Sequence, residues 1–293
     1  MERVASKAEA RRAAADARTE GKTVALVPTM GALHEGHLSL VRAACNRADY
    51  VAVSVFVNPT QFGPGEDYDS YPRDLEADLR LLAAEGVDLV FAPSAGVMYE
   101  PGASVTVDPG ALAECWEGEI RPGHFAGVTT VVTKLLSIVR PDLAYFGEKD
   151  YQQLQVVRRL VRDLDLGATV VACPIVRDRD GLALSSRNVR LTADERASAL
   201  AIPAALEAAA VALASREREA RALERAMFER LAGEEHLSLD YAVVVDPDTL
   251  EPLDTVDGPA RALVAARVGD IHLIDNCALV PHPGHSDRRS TNE

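Results

Sequence analysis

The feature that most constrains the fold is the alternation of strand-like and helix-like segments over the first 175 residues. Short runs rich in β-branched and other apolar residues predict strands at 23–27, 50–57, 88–92, 142–146 and 169–173. Helical spacing of apolar residues predicts helices at 74–84, 129–139 and 151–164. Strands that alternate with helices run parallel and are joined by right-handed crossovers. We therefore predict an α/β fold with a Rossmann-like, doubly wound parallel sheet, whose ligand cleft lies beyond the carboxyl ends of the strands.

Residues 99–125 interrupt this alternation. They contain three Pro-Gly pairs, which favour turns over regular elements. A stretch of this length without its own strand or helix pattern is often functional. We expect an excursion from the sheet here, near the active site.

The pattern changes again after residue 175. Thr192 stands three residues before Glu195, the arrangement of a capping box at the start of an alanine-rich helix. Strand-like runs separated by Pro, Gly and Asp predict a small antiparallel sheet from 241–245, 262–266 and 271–274. We predict a catalytic domain at 1–175, a smaller, lid-like C-terminal α+β domain at 176–293, and a frayed polar end over the last dozen residues.

Charge and cysteine usage narrow the class of protein. Lysine and arginine total 31 against 45 aspartates and glutamates, a formal net charge of −14 that repels a polyanion, so nucleic acid is not an expected partner. The four cysteines form no C-x-x-C pair, which indicates reduced thiols without a disulfide framework or metal knuckle. Purely apolar runs are far shorter than the roughly 18 residues that span a bilayer. We expect a soluble, cytoplasmic protein with no membrane partner.

A turn with two histidines follows the first predicted strand. Residues 28–37 read PTMGALHEGH and lead into an amphipathic run. A helix start offers free backbone N–H groups and the positive end of a dipole, so it can bind phosphate, and His34 and His37 would face the same anion. A zinc pair and two ordinary surface histidines are the alternatives. Zinc on a helix usually requires the spacing of H-E-x-x-H, whereas the separation here is three and no third ligand is evident.

Three further blocks follow predicted strands: FVNPTQF at 56–62, GEKDYQQ at 147–153 and DGLALSSRN at 180–188. The turn resembles the H-x-G-H signature of the nucleotidyltransferase and class I synthetase superfamily. Its longer form and the three blocks, in this order over 23–190, are similar to pantothenate synthetases. Leu184 departs from the methionine that this family commonly has before Ser-Ser-Arg, which puts the mobility of that loop in question. All four blocks are expected at the carboxyl edge of one sheet.

The resemblance implies an ATP site and a pantoate site. The ATP site comprises Met30, Gly31, Ala32, Leu33, His34, Glu35, Gly36, His37, Gly147, Glu148, Lys149, Asp150, Val176, Leu184, Ser185, Ser186 and Arg187. The residues expected to act in catalysis supply donors or positive charge to the phosphates: His34, His37, Lys149, Ser185, Ser186 and Arg187. The pantoate site comprises Asn58, Gln61 and Gln153, with Gln61 also near the β-alanine position. The family's reaction joins pantoate and β-alanine through pantoyl-adenylate, and a homodimer is implied.

Several assignments stay open on the sequence alone. Magnesium is expected to accompany ATP without a dedicated protein site, and Asp74 and Asp78 either assist through water or are solvated surface charges. The stretch 121–125 supplies a cation near the phosphates or is a turn with a packed phenylalanine. Segment 63–71 and the Ser185 loop are candidates to close over the adenylate. A plain nucleotidyltransferase, a synthetase that charges tRNA and a non-catalytic nucleotide-binding regulator are the rival functions.

Overall fold

The computed structural model describes residues 1–281. Within them the strands are β1 (Glu2–Val4), β2 (Val24–Thr29), β3 (Tyr50–Val55), β4 (Leu89–Phe91), β5 (Leu143–Gly147), β6 (Thr169–Cys173), β7 (Leu237–Val245), β8 (Ala260–Val268) and β9 (Ile271–Leu279). The α-helices are α1 (Lys7–Thr19), α2 (Glu35–Cys45), α3 (Leu75–Ala84), α4 (Ala95–Met98), α5 (Glu117–Ile120), α6 (His124–Val139), α7 (Tyr151–Asp163), α8 (Ala193–Ala199), α9 (Ala201–Ala214) and α10 (Ala220–Leu231). The predicted frayed end lies outside the described residues.

The first six strands form one parallel sheet in the order β1-β4-β3-β2-β5-β6. The chain builds β2, β3 and β4 outward in one direction and then returns to place β5 and β6 on the other side of β2. The order of strands therefore reverses between β2 and β5, and ligands bind in the crevice at such a switch point. The predicted doubly wound parallel sheet is confirmed.

Strand β1 was not predicted. It has three residues and pairs with β4, and only Val4 is buried. An edge strand this short shows no alternation of apolar and polar positions that a sequence pattern could detect. The sheet consequently has one more strand than the sequence indicates.

The centre of the sheet is apolar on both faces, as expected of parallel strands covered by helices. Val27 on β2 and Val53 on β3 are fully buried, and Val41 of α2 and Leu82 of α3 pack into the same cluster. Each such side chain contributes roughly 1.5–3 kcal/mol to the free energy of unfolding. This core holds the carboxyl ends of the strands, and the turns that follow them, in fixed positions.

The chain divides into two compact units, Met1–Arg196 and Ala197–Glu293. In the second unit β7, β8 and β9 form an antiparallel sheet, which confirms the predicted small sheet, although its strands are longer than predicted. The capping box is also confirmed, because the Thr192 hydroxyl accepts from the Glu195 N–H at 3.3 Å and Glu195 Oε2 accepts from the Thr192 N–H at 2.8 Å. The excursion at 99–125 contains only short helical turns and the start of α6.

One helical stretch among the described residues, Ala193–Ala214, is long and apolar enough to cross a membrane on length and composition alone. Of its apolar window, 44% is buried. Core helices of soluble proteins pass the same test, so this stretch is weak evidence for a membrane span.

Candidate active site

A cleft opens at the carboxyl ends of the parallel strands, within the unit Met1–Arg196. Turns after β2, β3, β5 and β6 contribute to it, and apolar side chains of α6 form one wall. The four sequence blocks therefore meet at one edge of the sheet, as predicted. Of the carboxylates in the described chain, only Asp150 lines this cleft.

The H-x-G-H turn directs two imidazoles into the cleft. His34 is the N-cap of α2, and its Nδ1 accepts from the Gly36 N–H at 3.1 Å. Nδ1 of His37 accepts from the His34 N–H at 3.4 Å, and the two ring centroids are 4.1 Å apart. Since Nδ1 accepts in both rings, the hydrogen of each neutral imidazole is on Nε2. A Cβ on Gly36 would lie 2.9 Å from the His34 ring, so a larger residue at this position would displace the His34 side chain.

Both imidazoles are uncharged at neutral pH. Burial, followed by the charge of Lys149, lowers the pKa of His34 to about 4. Burial, followed by the proximity of His34, lowers the pKa of His37 to about 3. Among residues 1–281, no group of three or more His, Cys, Asp or Glu side chains is arranged to hold a metal ion. Each ring therefore carries a neutral Nε2–H group.

Asp78 fixes the backbone of the H-x-G-H turn through hydrogen bonds. Its side chain is 3% exposed, and its carboxylate accepts from the N–H groups of Ala32 at 3.0 Å and Leu33 at 2.8 Å. A Cβ on Gly31 would lie 2.8 Å from the Asp78 carboxylate, and the φ of +81° at Gly31 also favours glycine. The alternative of a solvated surface charge is wrong for Asp78, since the carboxylate is buried against the backbone. Asp74 caps α3 by accepting from the Ala77 N–H at 2.9 Å.

Lys149 and Asp150 lie on the short 3₁₀ turn after β5, on the opposite side of the strand-order reversal from the histidines. Lys149 Nζ is 3.5 Å from Asp150 Oδ1. Burial opposes ionisation of Asp150, but the charge and hydrogen bond of Lys149 outweigh it, so the pKa of Asp150 is lowered. A cation and an ionised carboxylate therefore face the cleft together.

The Ser-Ser-Arg segment is tied to segment 63–71. Nε and Nη2 of Arg187 donate to the two oxygens of Asp67 at 2.9 and 2.8 Å. Arg190 Nη1 donates to the same carboxylate at 2.9 Å. The hydroxyls of Tyr71 and Ser186 are 3.1 Å apart. The two segments that the sequence marks as candidates for closure therefore contact each other directly.

Gln61, Gln153 and Asn58 all line the cleft, but Asn58 differs from the other two. Its side chain is 1% exposed and bonds to Gln61, Thr60, Tyr99 and the Gly127 carbonyl. Its polar atoms are thus occupied within the protein.

Gln152, which the sequence analysis did not single out, clamps the excursion. Nε2 donates to the carbonyls of Leu112 at 3.0 Å and Cys115 at 2.8 Å, and Oε1 accepts from the Glu117 N–H at 3.1 Å. The only available signal was its place beside Gln153 at the start of a helix after a strand.

Arg121 and His124 also line the cleft, so the stretch 121–125 is more than a turn. Arg121 donates to both oxygens of Glu66, at 2.9 and 2.6 Å, and its Nη1 is 3.3 Å from His124 Nε2. His124 Nδ1 is 2.8 Å from the Gln61 carbonyl. Burial, followed by the charge of Arg121, lowers the pKa of His124 to about 4, so the ring is neutral and Nδ1 carries the donated hydrogen.

Most of the residues predicted for ATP line the cleft, namely Met30, His34, Gly36, His37, Gly147, Lys149, Asp150, Val176, Leu184, Ser185, Ser186 and Arg187. Five do not: Gly31, Ala32, Leu33, Glu35 and Glu148. The first three form the backbone of the turn held by Asp78. Glu35 pairs with Arg42 on the exposed side of α2.

Fold and site together define a doubly wound α/β protein with an H-x-G-H turn and a cleft where the strand order reverses. The sequence profile of the family described as Pantoate-beta-alanine ligase matches residues 2–278. The chain belongs to this family, which confirms the resemblance found in its sequence blocks.

Individual relatives agree. A pantothenate synthetase from Rubrobacter xylanophilus is 56% identical over 270 residues, which cover 89% of this chain and 93% of the relative. The crystal structure of pantothenate synthetase from Thermus thermophilus matches with a TM-score of 0.90 and 47% identity, over 96% of this chain and 100% of that one. Pantoate-beta-alanine ligase from Francisella tularensis, complexed with beta-gamma ATP and beta-alanine, matches with a TM-score of 0.77 and 34% identity, over 94% of this chain and 97% of that one.

Proposed function

We propose that this protein condenses (R)-pantoate with β-alanine to give pantothenate, at the expense of ATP and through a pantoyl-adenylate. The observation that carries the proposal is the cleft itself: neutral imidazole donors, three cationic side chains and two serine hydroxyls surround it, and a single carboxylate among the described residues lines it. Such a site suits substrates that bring negative charge and oxygen acceptors. The curated relatives named pantothenate synthetase support the substrate assignment.

In the first half-reaction, a carboxylate oxygen of pantoate attacks the α-phosphorus of ATP, and the bond from that phosphorus to the bridging oxygen of pyrophosphate breaks. A carboxylate needs no base at neutral pH, so the site has to place the reactants and neutralise charge. We assign the Nε2–H groups of His34 and His37, together with Lys149, to the phosphate oxygens. Ser185, Ser186 and Arg187 serve the departing pyrophosphate. One preorganised donor of this kind is worth about 2.7–4 kcal/mol of barrier.

In the second half-reaction, the neutral amine of β-alanine attacks the acyl carbon. The bond between the acyl carbon and the phosphate oxygen breaks, AMP leaves, and the amine nitrogen gives up one proton to solvent water. Gln61 and Gln153 are assigned to the oxygens of pantoate, since a carboxamide both donates and accepts. Gln61 is also assigned to the β-alanine side.

Magnesium is proposed to bind together with ATP. Mg²⁺ is typically held by one or two carboxylates together with substrate phosphates, and it keeps several waters. The cleft fits this pattern, because Asp150 is ionised and lines it beside Lys149. When bound, the ion would neutralise phosphate charge.

Closure over the adenylate is proposed to involve segment 63–71 and the Ser-Ser-Arg loop. The bonds between Asp67 and Arg187, and between Tyr71 and Ser186, support this proposal because movement of one segment is transmitted to the other. We also propose the division into a catalytic domain at 1–175 and a lid-like domain at 176–293. We also propose a cytoplasmic location and a homodimer. Light scattering on the protein as it elutes from a size-exclusion column measures its molar mass and so tests the dimer.

The decisive experiment is product analysis by mass spectrometry with ATP, magnesium and pantoate, with and without β-alanine. We expect AMP and pantothenate only when the amine is present, and collapse of both in His37→Ala. The matched control is His236→Ala, which removes an exposed histidine and should retain wild-type turnover. ATP that stays intact in every mixture would contradict the proposal and favour a regulator. An adenylylated product that persists without AMP release even when β-alanine is present would favour a nucleotidyltransferase.

A further inference from the structure

The side-chain amide of Gln61 is held in one orientation by hydrogen bonds that originate in the interior. Asn58 is the centre of this arrangement and is 1% exposed. Its Oδ1 accepts from the Thr60 N–H at 3.4 Å and from the Tyr99 hydroxyl at 2.7 Å. Its Nδ2 donates to the Gly127 carbonyl at 3.1 Å and to Gln61 Oε1 at 3.1 Å.

Two backbone groups determine which end of the Asn58 amide is oxygen and which is nitrogen. A backbone N–H can only donate and a carbonyl can only accept. Because the Thr60 N–H meets one end and the Gly127 carbonyl the other, exchanging the two ends would place donor against donor and acceptor against acceptor. Burial raises the pKa of Tyr99, so its hydroxyl remains a donor at neutral pH. Asn58 therefore presents its NH₂ group to Gln61.

Gln61 has to meet that NH₂ group with its own oxygen, and its Nε2 is left at the other end of the amide. In the described structure Nε2 lies 3.1 Å from Met30 Sδ, and a thioether is a weak acceptor. One N–H of Gln61 thus remains for a substrate oxygen in the cleft, which both Gln61 and Met30 line.

We propose that Asn58 is a positioning residue that fixes Gln61 as a hydrogen-bond donor, so that this part of the cleft selects an acid with an acceptor oxygen. The inference rests on the proposed pantoate site. The family resemblance placed Asn58 in the pantoate site; in this proposal Asn58 acts on pantoate through Gln61 instead of contacting it directly. A site built to donate strongly rejects a ligand that cannot accept, because its own polar groups are then left unpaired.

A double-mutant cycle on the full-length protein tests this proposal. The pantoate KM is measured at saturating ATP and β-alanine for wild type, Asn58→Asp, Gln61→Met and the double variant. An aspartate at this position has no N–H to offer, so Gln61 turns its Nε2 inward and presents Oε1 to the substrate. We expect the pantoate KM to rise at least ~10-fold when Gln61 is present and less than ~3-fold after Gln61→Met. The added negative charge is present in both backgrounds. The ratio of the two fold-changes in pantoate KM, with and without Gln61, therefore reports the reversal of the Gln61 amide.

Asn58→Ser provides an uncharged version of the same cycle if the aspartate variant does not fold. Serine is also a good N-cap, so it can still accept from the Thr60 N–H, but it lacks the donor to Gln61. We expect a rise of ~3-fold or more with Gln61 and less than ~2-fold without it. The KM for ATP should stay within about twofold in both cycles, because the phosphate donors are elsewhere in the cleft.

Equal effects of the Asn58 substitution in the two backgrounds, or a parallel rise in the KM for ATP, would overturn the positioning role. Such results leave the proposed function intact as long as the wild-type protein makes pantothenate. If the wild-type protein makes none, the proposed function itself fails, and that failure is visible before any variant is compared.

Discussion

Helix α6 passes so close to the backbone before segment 63–71 that only glycine fits at position 127. A Cβ on Gly127 would lie 2.2 Å from the carbonyl oxygen of Thr60, 2.5 Å from its carbonyl carbon and 2.6 Å from the backbone nitrogen of Gln61. Ordinary contacts of a Cβ atom begin at 3.4 Å. Gly127→Ala therefore has to push the backbone that carries Gln61 away from the helix by about 1 Å, since these three atoms belong to backbone rather than to flexible side chains.

The magnitude follows from this displacement. Overpacking of a tightly packed contact lowers the free energy of unfolding by about 1–3 kcal/mol. A shift of about 1 Å in a group that positions substrate reduces the rate about 100-fold, so we expect that loss in kcat/KM for pantoate. The H-x-G-H turn is on a different strand, so the KM for ATP should change less than about twofold.

The assay is steady-state kinetics with pantoate as the varied substrate, together with urea unfolding. Gly96→Ala is the matched control, because Gly96 lies in α4 and no heavy atom comes within 4 Å of its Cβ position. The control should retain wild-type kinetics and gain up to about 1 kcal/mol in free energy of unfolding. If Gly127→Ala keeps kcat/KM for pantoate within about threefold of wild type and unfolds at the same urea concentration, the rigid contact between α6 and the Gln61 backbone does not exist.

Other substitutions test the electrostatics of the site. Asp78→Ala leaves two backbone N–H groups of the histidine turn unpaired and should lower the free energy of unfolding by about 2–4 kcal/mol in urea, against about 1 kcal/mol for the cap variant Asp74→Ala; equal losses would contradict this. Because Asp67 holds the Arg187 guanidinium in place, Asp67→Asn should raise the KM for ATP about two- to fivefold, and a decrease would refute this positioning role. With its pKa near 3, His37 stays neutral, so a kcat/KM profile should show no His37 inflection near pH 6.5. The folded-state pKa of His37 is below the ordinary 6.5, so the unfolded chain gains the proton first as pH falls. Protonation of His37 in the unfolded chain should therefore lower the free energy of unfolding, measured in urea, by about 2 kcal/mol at pH 5 relative to neutral pH. This loss should be absent in His37→Gln.

The parts of the fold and site that the sequence predicted are those encoded locally. The H-x-G-H turn, the Lys149 block and the Ser-Ser-Arg block each follow a strand, and parallel strands bring their carboxyl ends to one edge. The pairing of Asp67 with Arg187 could not be predicted in the same way, because the two residues are 120 positions apart and only packing brings them together. Asp78 was considered only as a metal helper or a solvated charge, because helical periodicity does not reveal which carboxylate faces a backbone turn.

A common principle connects the contacts that the sequence did not reveal. ATP and a carboxylic acid bring negative charge and oxygen acceptors, so the protein has to present donors, and those donors have to be held by acceptors of its own. Asp78 holds the turn of the histidines, Glu66 holds Arg121, and Asp67 holds Arg187. The oxygen of Asn58 likewise accepts hydrogen bonds inside the protein, and its NH₂ group binds the Gln61 oxygen, which leaves one amide hydrogen of Gln61 for the cleft. Apart from the Asp150 carboxylate, which lines the cleft, these acidic oxygens are paired within the protein, and preorganisation of donors rather than proton abstraction is the chemistry that this arrangement favours.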